Sequence, residues 1–447
     1  MRDPVVFTIA SSRPTVLIYC QHSTGMGHLV RTMALARGLT AHFRVVVMNG
    51  GEWPELMDVP DGVEIVALPP IGTASDGALT SLDGAYTLEA AHARRRDLLL
   101  ATWDATRAHA IVIELFPFGR RKFSSELLPF LEHARATSAP GRAPVVLCSL
   151  RDILVRGRHD QREYDDRAAT IANRYFDAVL VHADPALARL EESFKPTIPL
   201  SVPVHYTGFA SCAGDAQIAT ATRHAAAHAT PAAAFHAACS TPHAHAAHVR
   251  RMIVSAGGGR VGEPLLTAAV QAHALLTQRR SRTGYDRLTV IGGPFLPEAA
   301  WQRVQQLARA VPDVELIREV RDLPAMLRAA AGSVSQCGYN TALEVIQSGV
   351  PALVVPYHVA GEDEQMYRAR RLEARGAVRV LPPAELTAER LAAALRVLPA
   401  FRPRHAVIDL SGVEQTAALV LRMVETAAHP TPGRFELTTN LREECVS

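Results

Sequence analysis

Short apolar runs of strand length alternate with helix-period segments along nearly the whole chain, and the pattern is played twice. The first series is Thr15–Cys20, Arg44–Met48, Val63–Leu68, Ala110–Glu114, Val145–Ser149 and Ala178–Val181. The second is Met252–Ser255, Leu288–Ile291, Val314–Ile317, Ser333–Ser335, Ala352–Val355 and Val378–Leu381. Strands covered on both faces read as unbroken apolar runs, and strands spaced by helices imply βαβ units with a mostly parallel sheet. A chain of 447 residues is also too long for one comfortable core. Two successive doubly wound α/β units follow, with a cleft between them.

Composition marks the boundaries. Residues 1–210 form the first unit and 250–411 the second, joined by an Ala/His-rich stretch over 211–249. Residues 412–447 are a terminal helix, Val413–Ala427, and a loose tail carrying Pro430, Pro432 and Gly433. Six of the 19 histidines fall between His224 and His248. The run His243-x-His245-x-x-His248 lacks a cysteine or carboxylate partner, so a linker or insertion is expected there and no metal is assigned.

A hydrophobic content of 48% with 20% charged residues describes a globular enzyme, and a net charge of +3 sets nucleic acid aside as the main partner. The clusters Arg94-Arg95-Arg96, Arg120-Arg121-Lys122 and Arg279-Arg280 read as solvated faces, any one of which would suit an anionic lipid or phosphorylated acceptor. The six cysteines are scattered without a C-x-x-C pair, which fits a reducing cytoplasm. No apolar run is long enough to span a bilayer, and a secretory leader pattern is missing at Met1, so membrane contact is expected only as peripheral.

Three segments carry chemistry. Ser333–Ser335 feeds Gln336-Cys337-Gly338-Tyr339-Asn340-Thr341-Ala342-Leu343-Glu344, a glycine turn opening straight into a helix; Gly349-Val350-Pro351 and Glu364-Gln365 follow. That geometry aims free N–H groups and the helix dipole at one point, where an anion can sit, and Glu344 is expected in the first helical turn within reach of it. The plainer reading is a capping box, with Thr341 and Glu344 merely closing the helix end. Gly25-Met26-Gly27-His28 follows the first strand, in the usual ligand crevice, and His28 is placed to act as a base. Gly257-Gly258-Gly259-Arg260 follows the first strand of the second unit, where glycines let the loop approach a diphosphate that Arg260 neutralises. Arg151 and Asp152 come directly after a strand and serve either acceptor contact or a structural ion pair.

The 336–365 block resembles the donor-site signature of GT-B nucleotide-sugar glycosyltransferases, above all family 28, which includes the lipid-linked N-acetylglucosaminyltransferases of peptidoglycan synthesis. It is also similar to plant secondary-metabolite glucosyltransferases. His22–Thr32, Ile113-Glu114 with Pro117 and Gly119, Ser149–Ile153 and Tyr175–Val181 resemble bacterial predicted glycosyltransferases with a family 28-like second domain. The resemblance implies a GT-B fold of two Rossmann-like domains and transfer of a hexose-type sugar from a UDP-sugar to an acceptor hydroxyl, inverting and without metal or cofactor. It implies a diphosphate held by Gly338–Thr341 and Gly257–Gly259, a ribose held by Glu344, sugar hydroxyls met by Glu364 and Gln365, and a base near Val320. His28 aligns with a histidine that plant relatives use as base. The chain has Arg31 where Gly-His-x-x-Pro is common, and Gln336 where plant relatives have histidine. A nucleotide-sugar 2-epimerase, or a nucleotide-sugar-binding protein without turnover, is the alternative.

Overall fold

The computed structural model describes residues 13–22, 25–73, 78–139, 142–211, 249–279, 281, 283–358, 363–404 and 408–428. The Ala/His-rich stretch with its histidine run, and the Pro/Gly tail, lie outside the described residues apart from Ser211 and Val249.

The first lobe is built from β1 (Thr15–Cys20), β2 (Arg44–Asn49), β3 (Val63–Ala67), a hairpin of β4 (Ile71–Thr73) and β5 (Leu79–Ser81), β6 (Ala110–Glu114), β7 (Val145–Leu150), β8 (Ala178–Val181) and β9 (Val204–Tyr206). Apart from the hairpin these strands form one parallel sheet in the order β3-β2-β1-β6-β7-β8-β9. The second lobe has β10 (Arg251–Ser255), β11 (Arg287–Ile291), β12 (Val314–Ile317), β13 (Gly332–Ser335), β14 (Ala352–Val354) and β15 (Arg379–Val380), all parallel, in the order β12-β11-β10-β13-β14-β15. In each sheet the winding reverses beside its first strand, between β1 and β6 and between β10 and β13. Loops leaving the carboxyl ends of those strands diverge there and leave a crevice.

Alternate residues of each strand face opposite sides, and both sides are buried. In the first lobe Leu17, Tyr19, Val46, Met48, Ile111 and Ile113 form one core face with the helices Leu88–Thr106 and Ser124–Ala136. Val16, Ile18, Val45, Val47 and Val112 form the other, under helix Gly27–Leu39, whose Leu29, Met33, Ala36 and Leu39 recur at helical spacing. The last described helix, Gly412–Ala428, completes this second face of the first lobe with Ala417, Val420 and Val424, although it follows the second lobe in sequence. Burial of each valine contributes about 1.5–3 kcal/mol. A Cβ on Gly38 would strike the side chain of Val413, so the two helices approach closely at that point.

One charge cluster reverses its expectation. Arg95 is fully buried rather than solvated. Its guanidinium donates to Glu126 Oε1 at 2.7 Å, to Tyr19 Oη at 2.9 Å, to Gln21 Oε1 at 2.8 Å and to the carbonyls of Gly50 and Pro69 at 3.0 and 2.9 Å. These bonds tie the loop after β2 to the sheet; Arg94 and Arg96 do lie exposed.

Candidate active site

The two switch-point crevices face one another across a cleft of about 1700 Å³ lined from both lobes. From the first lobe come Gly25, Met26, Gly27 and His28, leading into helix Gly27–Leu39, whose N-terminus has no side-chain cap. From the second come Gly257, Gly258, Gly259 and Arg260 after β10, and Gly338, Tyr339, Asn340 and Thr341 after β13. The glycine loops nearly touch: a Cβ added to Gly258 would lie 3.4 Å from Gly25 Cα. Gly259 is required at its position, because its φ is +87° and a Cβ there would run into the Gly292 carbonyl oxygen. Asn340 Nδ2 donates to the Gly27 carbonyl at 3.2 Å and bridges the lobes.

The anion cradle is in the second lobe. Helix Tyr339–Ser348 takes Gly338 as its N-cap, with no side-chain cap, so its leading amides stay open to the cleft. A Cβ on Gly257 would sit 3.4 Å from Thr341 Oγ1, so the two phosphate-type loops share one space. The helix starts earlier than the box reading requires, and no acid lies in its first turn. Glu344 therefore stands one turn further on, and Thr341 with Glu344 forms no capping box. Glu344 lines the cleft without a hydrogen bond or ion pair to a described residue. Burial, with the nearby charge of Asp322, lifts its carboxyl to about 7. Val320 borders the cleft between Glu319 and Arg321. The guanidinium of Arg260 lies 5.6 Å from the Phe295 ring centre, and its Nε has no acceptor.

Opposite the cradle, His28 Nδ1 lies 2.6 Å from Glu114 Oε1, and Glu114 also receives Arg31. Neutral His28 donates from Nδ1 to this carboxylate, leaving Nε2 as the acceptor. Burial holds His28 well below its ordinary value against the pull of Glu114, with Arg120 and Arg31 opposing further positive charge; it stays neutral at working pH. Arg31, in the place of the common proline, is itself buried, with its guanidinium 5.3 Å from the Tyr339 ring centre. Glu114 had no role assigned from sequence. Its signal was an acid closing an otherwise apolar strand beside β1.

Several expected ligand contacts are engaged elsewhere. Asp152 is fully buried and accepts from Arg368 Nε at 2.6 Å and Nη2 at 2.7 Å, so it is the structural ion pair and not a cleft residue. Arg151 does line the cleft, where its Nη1 donates to Glu364 Oε1 across the lobes at 2.8 Å. Gln365 also lines it, but its Oε1 already accepts from the amides of Cys337 at 3.0 Å and Tyr357 at 3.1 Å, which fixes the turn before the cradle. Tyr339 presents only backbone, since its hydroxyl donates to the His182 carbonyl at 2.8 Å and accepts from Ala210 N at 3.1 Å. Gln336 lines the cleft where plant relatives have histidine. Among the described residues no cluster of His, Cys, Asp or Glu is suited to hold a metal ion, and no helix is long and apolar enough to cross a membrane.

Residues 252–407 match the family model described as the glycosyltransferase family 28 C-terminal domain. Two curated relatives bear the name UDP-N-acetylglucosamine–N-acetylmuramyl-(pentapeptide) pyrophosphoryl-undecaprenol N-acetylglucosamine transferase. The one from Alkalilimnicola ehrlichii is 33% identical over 33% of this chain and 40% of its own. The one from Rhodospirillum centenum is 38% identical over 27% of this chain and 33% of its own. The chain thus matches well under half the length of either relative. Among solved structures, Acinetobacter baumannii MurG superposes with a TM-score of 0.51 at 15% identity, covering 92% of this chain and all of that one. The calicheamicin glycosyltransferase CalG4 superposes with a TM-score of 0.50 at 15% identity, covering 93% and 95% of the two chains. At that identity the likeness is one of fold: this chain has the two-domain GT-B architecture.

Proposed function

With its second domain a member of glycosyltransferase family 28, we propose that this chain transfers a sugar from a nucleoside diphosphate sugar to an acceptor hydroxyl. One observation carries the reading: an uncapped helix N-terminus and a triple-glycine loop share one space, with an acid that has no partner among the described residues a turn beyond. Main-chain amides there suit a diphosphate, and the Glu344 carboxylate suits the paired hydroxyls of a ribose. The donor is uridine-based, as in the names of the curated relatives, with the base lying along Val320.

His28 takes the acceptor proton through Nε2 while Glu114 fixes the ring, and the freed oxygen attacks the anomeric carbon from the first-lobe side. Attack on the face opposite the diphosphate inverts the anomeric centre. Charge growing on the departing diphosphate is met by the amides of Gly338–Thr341, the Gly257–Gly259 loop and Arg260, so dipoles and a guanidinium supply what a metal supplies elsewhere. Arg151 and Glu364 hold each other across the cleft. A donor sugar reaching Glu364 exchanges its hydroxyls for that pair. The curated relatives are named for an undecaprenol-linked acceptor, and work at the cytoplasmic face of a membrane through peripheral contact fits the same reading.

The test is turnover with a panel of nucleoside diphosphate sugars. Nucleotide release that depends on an added acceptor supports transfer. Isomerisation of the donor alone, or tight binding with no product under any acceptor, would overturn it in favour of an epimerase or a sensor.

A further inference from the structure

The two lobes meet at a buried arginine. Helix Gly27–Leu39 presents Arg31 one turn after His28, and the side chain is only 1% exposed although it borders the cleft. Its guanidinium has two neighbours, one from each lobe. It donates from Nη2 to Glu114 Oε1, the same oxygen that His28 Nδ1 meets at 2.6 Å. It also lies over the Tyr339 ring, 5.3 Å from the ring centre. Tyr339 begins the cradle helix, and its hydroxyl is tied to the His182 carbonyl at 2.8 Å and the Ala210 amide at 3.1 Å, both in the first lobe. Phe209 packs on the same ring, with centres 5.6 Å apart.

Burying a guanidinium is costly unless it is paired and stacked, and a proline in this place would make neither contact. Burial raises the Glu114 carboxyl, but His28, Arg31 and Arg120 outweigh it and hold it down at about 2. Glu114 is therefore ionised, and it fixes the His28 tautomer that leaves Nε2 free. The residue after Tyr339 makes a second crossing, since Asn340 Nδ2 donates to the Gly27 carbonyl just before His28. Arginine suits the junction because one planar group can donate to a carboxylate and stack on a ring, which lysine cannot do.

We infer that Arg31 is a positioning residue, joining the His28–Glu114 pair to the first residue of the donor cradle so that base and donor keep one register. This rests on the transferase reading. Arg31 acts through Glu114 at one end and Tyr339 at the other. Base and cradle come from different lobes, and neither can shift against the other without breaking the stack or the hydrogen bond.

The experiment uses the full chain and reads the base directly. Diethyl pyrocarbonate carbethoxylates a neutral imidazole, and the His28 side chain is 18% exposed, enough for the reagent to reach Nε2. Mass spectrometry of the His28 peptide gives the rate with and without saturating UDP-N-acetylglucosamine; His42, exposed and outside the cleft lining, is the internal reference. In the unaltered chain the donor should slow modification of His28 at least about ten-fold, because the base lies against the bound sugar. Arg31→Lys keeps the charge without the plane, and Arg31→Met keeps bulk without charge. In both, protection at saturation should fall to about two-fold or less, as for a base displaced by about an ångström. UDP affinity should hold, since Tyr339 keeps its hydroxyl bonds and Phe209. Should those variants fail to fold, Tyr339→Leu removes the stack from its other end and should cost the same protection; combined with Arg31→Lys it should cost no more. A residue that only stabilised the fold would lower the melting temperature and leave protection at saturation intact. Full protection in folded Arg31 and Tyr339 variants thus overturns the inference and leaves the donor reading standing. An unaltered chain that binds the donor without protecting His28 overturns the base assignment and the inference with it. Failure of the donor to bind at all would bring down the transferase reading itself.

Discussion

Glu344 gives the sharpest quantitative test, because it is half-buried and has no partner among the described residues. Raising its carboxyl from 4.5 to about 7 corresponds to roughly 3 kcal/mol against the charged form. The sign follows: a carboxyl whose folded value is raised holds its proton better folded than unfolded. Its contribution to stability is complete below about 4.5 and is lost as pH climbs through about 7. Ribose hydroxyls donating to the carboxylate favour the ionised form and pull the value back down. Donor affinity should therefore strengthen by up to ten-fold per pH unit between about pH 5.5 and 7, then level off, with protons released on binding below 7. A UDP-sugar such as UDP-N-acetylglucosamine is the right probe, since its diphosphate is esterified at both ends and does not titrate in that window. Calorimetry in two buffers of different ionisation enthalpy counts the protons. Glu344→Gln keeps the shape, loses the charge, and should cost about 1–3 kcal/mol at pH 8, some 5- to 150-fold. Its affinity should be flat with pH. Asp322→Asn removes the neighbouring charge and should move the inflection to lower pH. A pH-independent donor affinity in the unaltered chain, or a Gln variant that still shows the inflection, would refute the assignment.

Other outcomes follow from the same geometry. His28→Ala should lower kcat by about 10²–10⁴ with donor affinity held, as for loss of a general base, read by nucleotide release. Glu114→Gln should lower kcat less and alter the pH profile, because the ring loses its orienting acceptor. Gly259→Ala should abolish donor binding and lower the melting temperature, since a methyl there meets the Gly292 carbonyl oxygen at a φ open mainly to glycine. Arg368→Ala strands the buried Asp152 carboxylate and should destabilise the fold by about 3–5 kcal/mol in urea unfolding. Arg368→Met should leave the same deficit, which separates lost charge from lost volume.

The alternation of strand and helix was legible because parallel strands covered on both faces show no solvent side, and their apolar runs stand out whatever surrounds them. The hairpin Ile71–Thr73 with Leu79–Ser81, and the edge strand Val204–Tyr206, were not. They are only three residues long each, and only pairing defines them. Both glycine loops could be located from sequence since their positions depend on nearby strand ends. The start of helix Tyr339–Ser348 could not, because Gly338 caps it with backbone conformation alone and Thr341–Glu344 imitates a cap it does not form. Asp152 and Arg95 were ambiguous for one reason. Their partners, Arg368 in one case and Glu126 with Tyr19 and Gln21 in the other, are brought in by tertiary folding from distant sequence. The pairing of Glu114 with His28 has the same origin.

The helix Gly412–Ala428 also bears on how such a chain comes to be made. Because Ala417, Val420 and Val424 seal a face begun by Val16 and Ile18, the lobe synthesised first cannot finish its core until this helix has left the ribosome. A nascent chain halted before Gly412 would hold a sheet with one side greasy and open, an invitation to chaperones. Emergence of that helix is thus also the step that clasps the two halves into one body.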